Sequence, residues 1–295
     1  MYWSSFRQLS DEDLASVVVY LRTIPAVKNK LPKRRLSIET EKKLQGSAKP
    51  LLAAVLTPDL SNLLTRGRYL ISTADCGGCH TGWYKRNPGF FGGGNKLENY
   101  HDTSFTFSSN ITPHETGLKG WTPELFINVI RTGKGGTLQP AMPWAAYRNM
   151  TDEDLTAILT ALQKLQPVNH RVINGMKASH CEVCEMSHGY GEENKIIPLK
   201  AVPFDTALYR EFVGTYTHPE EGFSFEVSSE KGKLFISEGG PSLELIPVTE
   251  NRFEASGFPT PVEFRRDEQG RVKWLVGYYV EEDVLQKQDT QKAIQ

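Results

Sequence analysis

Two cysteines with two residues between them and a histidine directly after the second, Cys76-Gly77-Gly78-Cys79-His80, leave few folds open to the chain around them. The pattern is the covalent attachment signature of c-type haem. Thiols so spaced add across the two vinyl groups of one porphyrin, and His80 is then held under the ring as the proximal ligand to iron. Gly77 and Gly78 put no side chain between the anchors and let the backbone approach the macrocycle. A zinc knuckle or a disulfide loop uses a similar spacing, so the motif alone leaves those readings open and the flanking residues carry the decision.

A c-type haem needs a second axial ligand, and methionine is the usual partner in electron carriers. Of five methionines, Met142 lies in Gln139-Pro140-Ala141-Met142-Pro143-Trp144, after the glycine-rich Gly133-Lys134-Gly135-Gly136. Prolines on both sides fix φ and stiffen the loop, as a weak thioether ligand requires. The competitor is Met150, and core packing is the commoner use of methionine. An internal repeat separates the two. The run from Met1 to Leu14 matches the run from Met142 to Leu155 at a constant offset of 141. Met142 pairs with Met1, and Met150 pairs with Leu9. A methionine–leucine exchange is what an apolar core position tolerates, so Met142 is assigned as ligand and Met150 as core.

Leu64-Thr65-Arg66-Gly67-Arg68-Tyr69-Leu70, followed by Asp75-Cys76-Gly77-Gly78-Cys79-His80-Thr81, resembles the first helix and haem site of a class I cytochrome c domain. Asn110-Ile111-Thr112-Pro113, Gly117-Leu118-Lys119-Gly120-Trp121, and Pro140-Ala141-Met142-Pro143-Trp144 with Tyr147 are similar to motifs of the multi-haem cytochrome c subunits of membrane-bound alcohol, aldehyde and gluconate dehydrogenases. The likeness is strong over residues 58–170, partial over 1–27 and absent beyond. It implies one covalent haem c on Cys76 and Cys79, with His80 and Met142 as axial ligands. It implies an electron carrier rather than an enzyme, in the periplasm or on the outer face of the cytoplasmic membrane. The partners implied are a dehydrogenase subunit or quinol as donor and a terminal oxidase chain as acceptor, with membrane association running through them.

The 295 residues suggest about two domains. A net charge of -1 offers no basic surface for nucleic acid. No run of about 18 apolar residues reads as a transmembrane helix. The opening Met1-Tyr2-Trp3-Ser4-Ser5-Phe6 lacks a basic start and an apolar core, so no secretory signal is visible. Together with the repeat, this reads residues 1–27 as the tail of an incomplete earlier cytochrome c domain in an N-terminally truncated chain. Ser10 with Asp13, and Thr151 with Asp154, have capping-box spacing. Leu14, Val17, Val18 and Leu21 recur at helical period, as do Leu155, Ile158, Leu159 and Leu162. The first copy has no partner helix, so it is expected to be poorly anchored or to dock on a foreign surface. Residues 28–57 read as a charged linker, in which Lys33-Arg34-Arg35 is a solvated cluster.

The haem domain spans 58–170. A helix is expected from Ser61 to Ala74, with Leu63, Leu64, Tyr69 and Leu70 facing the core. Pro123 starts another, carrying Leu125, Phe126, Val129 and Ile130. Trp121 and Trp144 suit either the porphyrin edge or ordinary core packing. Phe90-Phe91-Gly92-Gly93-Gly94 reads as a tight turn; the strand and helix that a phosphate loop needs are missing.

Residues 171–203 read as a Cys/His-containing linker. Glu185 stands where a second haem site would need histidine. Two readings remain for that stretch: a disulfide between Cys181 and Cys184, or a zinc site from Cys181, Cys184, His180 and His188. From 204 to 286 the pattern has period two, with turns at Lys231-Gly232, Gly239-Gly240-Pro241 and Gln269-Gly270. This predicts an antiparallel β-meander curling into a half-barrel, before a disordered tail at 287–295. Its Phe212-Val213-Gly214-Thr215-Tyr216 opening is similar to the small β-domain that follows penicillin-binding-type hydrolases. No nucleophile motif accompanies it, so it reads as an accessory module. The fold class is α+β multidomain, an all-α cytochrome c domain followed by the β domain. The function expected is electron transfer. The alternatives are a catalytic or gas-binding haem with a displaceable Met142, and a non-haem binding module centred on the β domain.

Overall fold

The computed structural model describes residues 6–30, 35–38, 40, 53–82, 88–98, 104–134, 141–196, 201–219, 223–238, 242–255, 261–278 and 282–288. Met1, Lys33, Arg34, Gly135, Gly136, Gln139, Pro140, the Gly239–Pro241 turn and residues 289–295 of the tail lie outside these.

Helix α1 (Asp11–Thr23) starts on Ser10, whose hydroxyl accepts the Asp13 N–H at 3.1 Å. It buries none of its residues, and the stripe Leu14, Val17, Val18 and Leu21 is exposed. Polar contacts hold its first turn. The Tyr69 hydroxyl accepts from the Ser10 N–H at 3.0 Å and donates to the Asp13 carboxylate at 2.5 Å. The apolar stripe, expected to lack a partner helix, is exposed.

Helix α2 (Leu63–Thr73) is capped by Asn62, which accepts from Leu64 and Thr65. It buries Gly67 and Ile71; of the residues expected to face inward, Leu64 and Leu70 pack against the core and Tyr69 is partly buried, while Leu63 is exposed. Short α3 (Cys76–His80) follows at once. Strands β1 (Lys96–Glu98) and β2 (Phe105–Phe107) pair antiparallel, adding a two-stranded sheet to a unit expected to be all helical. Helix α4 (Pro123–Thr132) begins on the Thr122 hydroxyl and ends on Gly133 at φ 63. It buries Phe126, Val129 and Ile130 and leaves Leu125 exposed. After α5 (Trp144–Tyr147), α6 (Asp152–Leu162) starts on the Thr151 hydroxyl and buries Leu155, Ile158, Leu159 and Leu162, the stripe its periodicity predicts. Helices α2 and α6 cross at Gly67, where a Cβ would lie 1.9 Å from the Ala157 carbonyl oxygen. Arg66 meets Asp154 at 2.6 Å beside the crossing.

Within the stretch read as a linker at 171–203, β3 (Ala178–His180) and β4 (Ser187–Gly189) form a hairpin with Cys181 and Cys184 at its tip. The Asn174 amide exchanges two 2.8 Å hydrogen bonds with the Phe107 backbone and ties this unit to the helical one.

The remainder opens with α7 (Tyr209–Phe212) and continues through β5 (Gly214–Thr217), β6 (Ser224–Glu230), β7 (Lys233–Ser237), β8 (Leu243–Pro247), β9 (Arg252–Ala255), β10 (Val262–Arg266), β11 (Val272–Tyr278) and β12 (Glu282–Lys287). Each strand pairs antiparallel with the next, and β12 returns to β5 in the register Gln286 to Thr217 and Lys287 to Tyr216. The expected half-barrel is thus a closed eight-stranded barrel. The strand that closes it, Glu282–Lys287, carries only Val284 and Leu285 as apolar residues and gives little alternation to read. Closure also removes the exposed strand edges of an open sheet. The interior is packed solid by Tyr216, Leu234, Phe253, Phe264, Leu275 and Leu285, and Phe212 from α7 joins them. Eight strands leave an interior just wide enough for side chains to fill.

Candidate functional site

The local path through the attachment motif is set by Asp75, which takes the left-handed conformation at φ 56 and turns α2 into α3. Its carboxylate lies where a Cβ on Gly78 would sit, at 2.4 Å, so this position admits no larger residue without a shift. Asn95, 1% exposed, donates to the carbonyls of Cys79 at 2.8 Å and Thr81 at 2.7 Å. The Gly93 N–H donates to the His80 carbonyl at 2.7 Å. The motif's backbone is thereby held from outside by the glycine-rich turn.

The His80 ring has one settled contact. Its Nδ1–H donates to the Ser109 carbonyl at 2.7 Å. That contact fixes the tautomer and leaves Nε2 with a lone pair to offer. Burial holds the imidazole below its usual pKa, against the opposing pull of the Ser109 bond, and so favours the neutral ligating form.

Cys76, Cys79, His80 and Met142 line one cavity, walled by Ile111, Leu118, Phe126, Ile130, Leu155 and Ile158. Trp121 and Trp144 stand in its wall and also pack on the helical core. Met150 lines the cavity too, and its core position is part of that wall. Burial first, then the neighbouring Asp75 and Cys79, pushes the Cys76 thiol up to about 12. Tyr147 is raised in the same way by burial and stays protonated, its hydroxyl donating to the Ala74 carbonyl at 2.8 Å. Two thiols, an oriented imidazole and a thioether around an apolar hollow are a donor set that suits a covalently attached haem.

The Asn110-Ile111-Thr112-Pro113 motif has a mechanical role. The Asn110 amide donates to the Val168 carbonyl at 2.7 Å, and its oxygen accepts from the Thr112 N–H and hydroxyl at 2.9 and 2.7 Å. It staples the segment after α6 against the loop that carries Ser109.

A second cluster gathers His170, Cys181, Cys184 and His188, all buried, with one donor atom from each lying within 4.8 Å of the others. His180, expected as a ligand, is not among them: it is exposed on β3. Successive strand residues point to opposite faces, so the residue next to inward Cys181 faces out. His170 takes that place. It stands eleven positions before Cys181, at the end of the expected haem domain, and no local spacing singles it out. Cys181 and Cys184 are free thiols. The Cys184 S–H pulls the Cys181 thiol strongly towards the thiolate.

Residues 62–160 match the family model described as cytochrome C oxidase, cbb3-type, subunit III. The fructose dehydrogenase cytochrome subunit of Gluconobacter japonicus is 36% identical over 111 residues, which are 36% of this chain and 22% of that protein. The cytochrome c subunit of a quinone-dependent alcohol dehydrogenase from Gluconacetobacter polyoxogenes is 35% identical over 111 residues, 36% of this chain and 23% of its own length. The gluconate 2-dehydrogenase cytochrome c subunit of Pantoea cypripedii is 36% identical over 111 residues, 36% of this chain and 24% of its own. The chain thus spans less than a quarter of each of these relatives. Among the described residues, no helix is long and apolar enough to cross a membrane.

Proposed function

With residues 62–160 a cytochrome c domain, we propose that this chain is an electron carrier. Cys76 and Cys79 would hold one haem c through thioethers, and His80 and Met142 would ligate its iron. The haem supplies a one-electron couple at iron. The protein supplies the rest. The His80 imidazole is kept neutral by burial and aimed by Ser109, which also raises its basicity as a ligand. The apolar walls exclude water from the couple, and a methionine ligand raises its potential. The donor is a dehydrogenase subunit or quinol and the acceptor a respiratory oxidase chain, outside the cytoplasmic membrane. The observation that carries this reading is the convergence of Cys76, Cys79, His80 and Met142 on one apolar cavity, with the His80 Nδ1 already engaged.

Met142 is preferred to Met150 because only Met142 has a methionine counterpart, Met1, in the repeat. The absorption spectrum of the matured protein tests the assignment. Low-spin bands with a weak sulfur-to-iron band are expected. Met142→Ala should lower the reduction potential and admit carbon monoxide to the iron, while Met150→Leu should leave both unchanged. A high-spin ferric spectrum in the unmutated protein would instead favour a catalytic or gas-binding haem. Identical behaviour of the two variants would remove Met142 from the iron.

A further inference from the structure

The His170, Cys181, Cys184 and His188 cluster has no part in electron transfer as proposed, and it stands independently of that reading. Its internal geometry calls for a cation. The His170 Nδ1–H donates to the Gly92 carbonyl at 2.8 Å, and the His188 Nδ1–H donates to the Gly189 carbonyl at 3.0 Å. In its neutral form each ring therefore carries its proton on Nδ1 and presents a bare lone pair on Nε2. Those two Nε2 atoms face each other at 3.2 Å, with the Cys181 sulfur 3.5 Å from the His170 Nε2. Two neutral imidazoles so placed direct lone pair at lone pair, which is repulsive. A cation at the centre converts the repulsion into ligation.

We propose that His170, Cys181, Cys184 and His188 form a structural zinc site. Tetrahedral zinc with bonds of about 2.0–2.1 Å to nitrogen and about 2.3 Å to sulfur places two nitrogens about 3.3 Å apart and a nitrogen and sulfur about 3.6 Å apart. The observed separations of 3.2 and 3.5 Å agree with both. Two thiolates and two imidazoles in a closed, buried tetrahedron select zinc over hard cations, and full ligation marks the site as structural rather than catalytic.

The hairpin is shaped for it. The Cys181–Cys184 turn is closed by the Glu185 N–H donating to the Cys181 carbonyl and the Cys181 N–H donating to the Met186 carbonyl, both at 2.9 Å. Glu185 takes the left-handed conformation at φ 58 to bring the chain back into β4. The zinc would join the end of the helical unit to the hairpin. Through the Gly92 carbonyl it would also brace the turn whose Gly93 N–H holds the His80 backbone.

The test uses the full-length, haem-loaded protein purified from zinc-supplemented cells. Plasma mass spectrometry should give about one zinc per chain, counted against haem iron, and the zinc X-ray absorption fine structure should show two sulfur and two nitrogen scatterers. The Cys181→Ser/Cys184→Ser double variant should lose the zinc, and His180→Ala should keep it. Absence of zinc from the unmutated protein, a Cys181–Cys184 disulfide by alkylation mass spectrometry, or a metal other than zinc in the site would overturn the proposal. Zinc retained by the double variant, or lost with His180→Ala, would do the same. Should the double variant fail to fold, stoichiometry and fine structure of the unmutated protein, with His180→Ala, decide alone.

Discussion

The helical unit and the barrel solve the same packing problem in opposite ways. The barrel fills its own centre. Phe212, Phe253 and Phe264 meet edge-on or tilted with centroids 4.6–5.5 Å apart, and the buried Tyr216 hydroxyl donates to the Phe212 carbonyl at 2.6 Å. The helical unit surrounds a cavity whose wall includes two thiols, an imidazole and two thioethers. One unit completes its core with its own side chains. The other is shaped so that a bound group completes it. Stability and cofactor loading should therefore be coupled in the first 170 residues and uncoupled in the barrel.

The most severe break of that contrast is Cys76→Ala/Cys79→Ala. All covalent haem should be lost on a denaturing gel stained for haem, and the helical unit should lose its cooperative melt while the β circular dichroism of the barrel persists. If the barrel melts with it, the two units are one cooperative body and the contrast fails. Next, Phe264→Ala removes a ring that is 1% exposed and should cost the barrel about 3–5 kcal/mol, with the haem spectrum unchanged. Urea titration followed at both signals checks it. Gly67→Ala should destabilise the helical unit by about 1–3 kcal/mol, because its Cβ would meet the Ala157 carbonyl oxygen at 1.9 Å; the loss should appear in the helical transition alone. The smallest effect is expected of Arg66→Ala. Its pair with Asp154 is partly exposed, at 28% and 21%, so less than about 1 kcal/mol is at stake.

What could be read without coordinates is what local rules decide. The attachment motif is a short-range pattern. The Ser10 and Thr151 caps and the helix start at Pro123 follow from residue type and spacing and are present as read, and so is the α6 stripe. The α1 stripe reads almost identically, yet its face is exposed. Periodicity reports which face could be buried, and only a partner surface decides whether it is. The same limit applies to α2, where Ile71 and Gly67 face inward in place of Leu63 because α6 can approach only where no side chain intervenes.

Residue order alone thus determined the haem-attachment signature, the helix starts and the alternation of seven β-strands, each of which depends on neighbours a few positions away. Tertiary structure alone decided that a nearly patternless eighth strand closes the barrel. It also put His170, rather than the adjacent His180, with Cys181, Cys184 and His188. Both outcomes join residues far apart in the chain, and such pairings are settled by which surfaces and lone pairs meet in space, which no local spacing records.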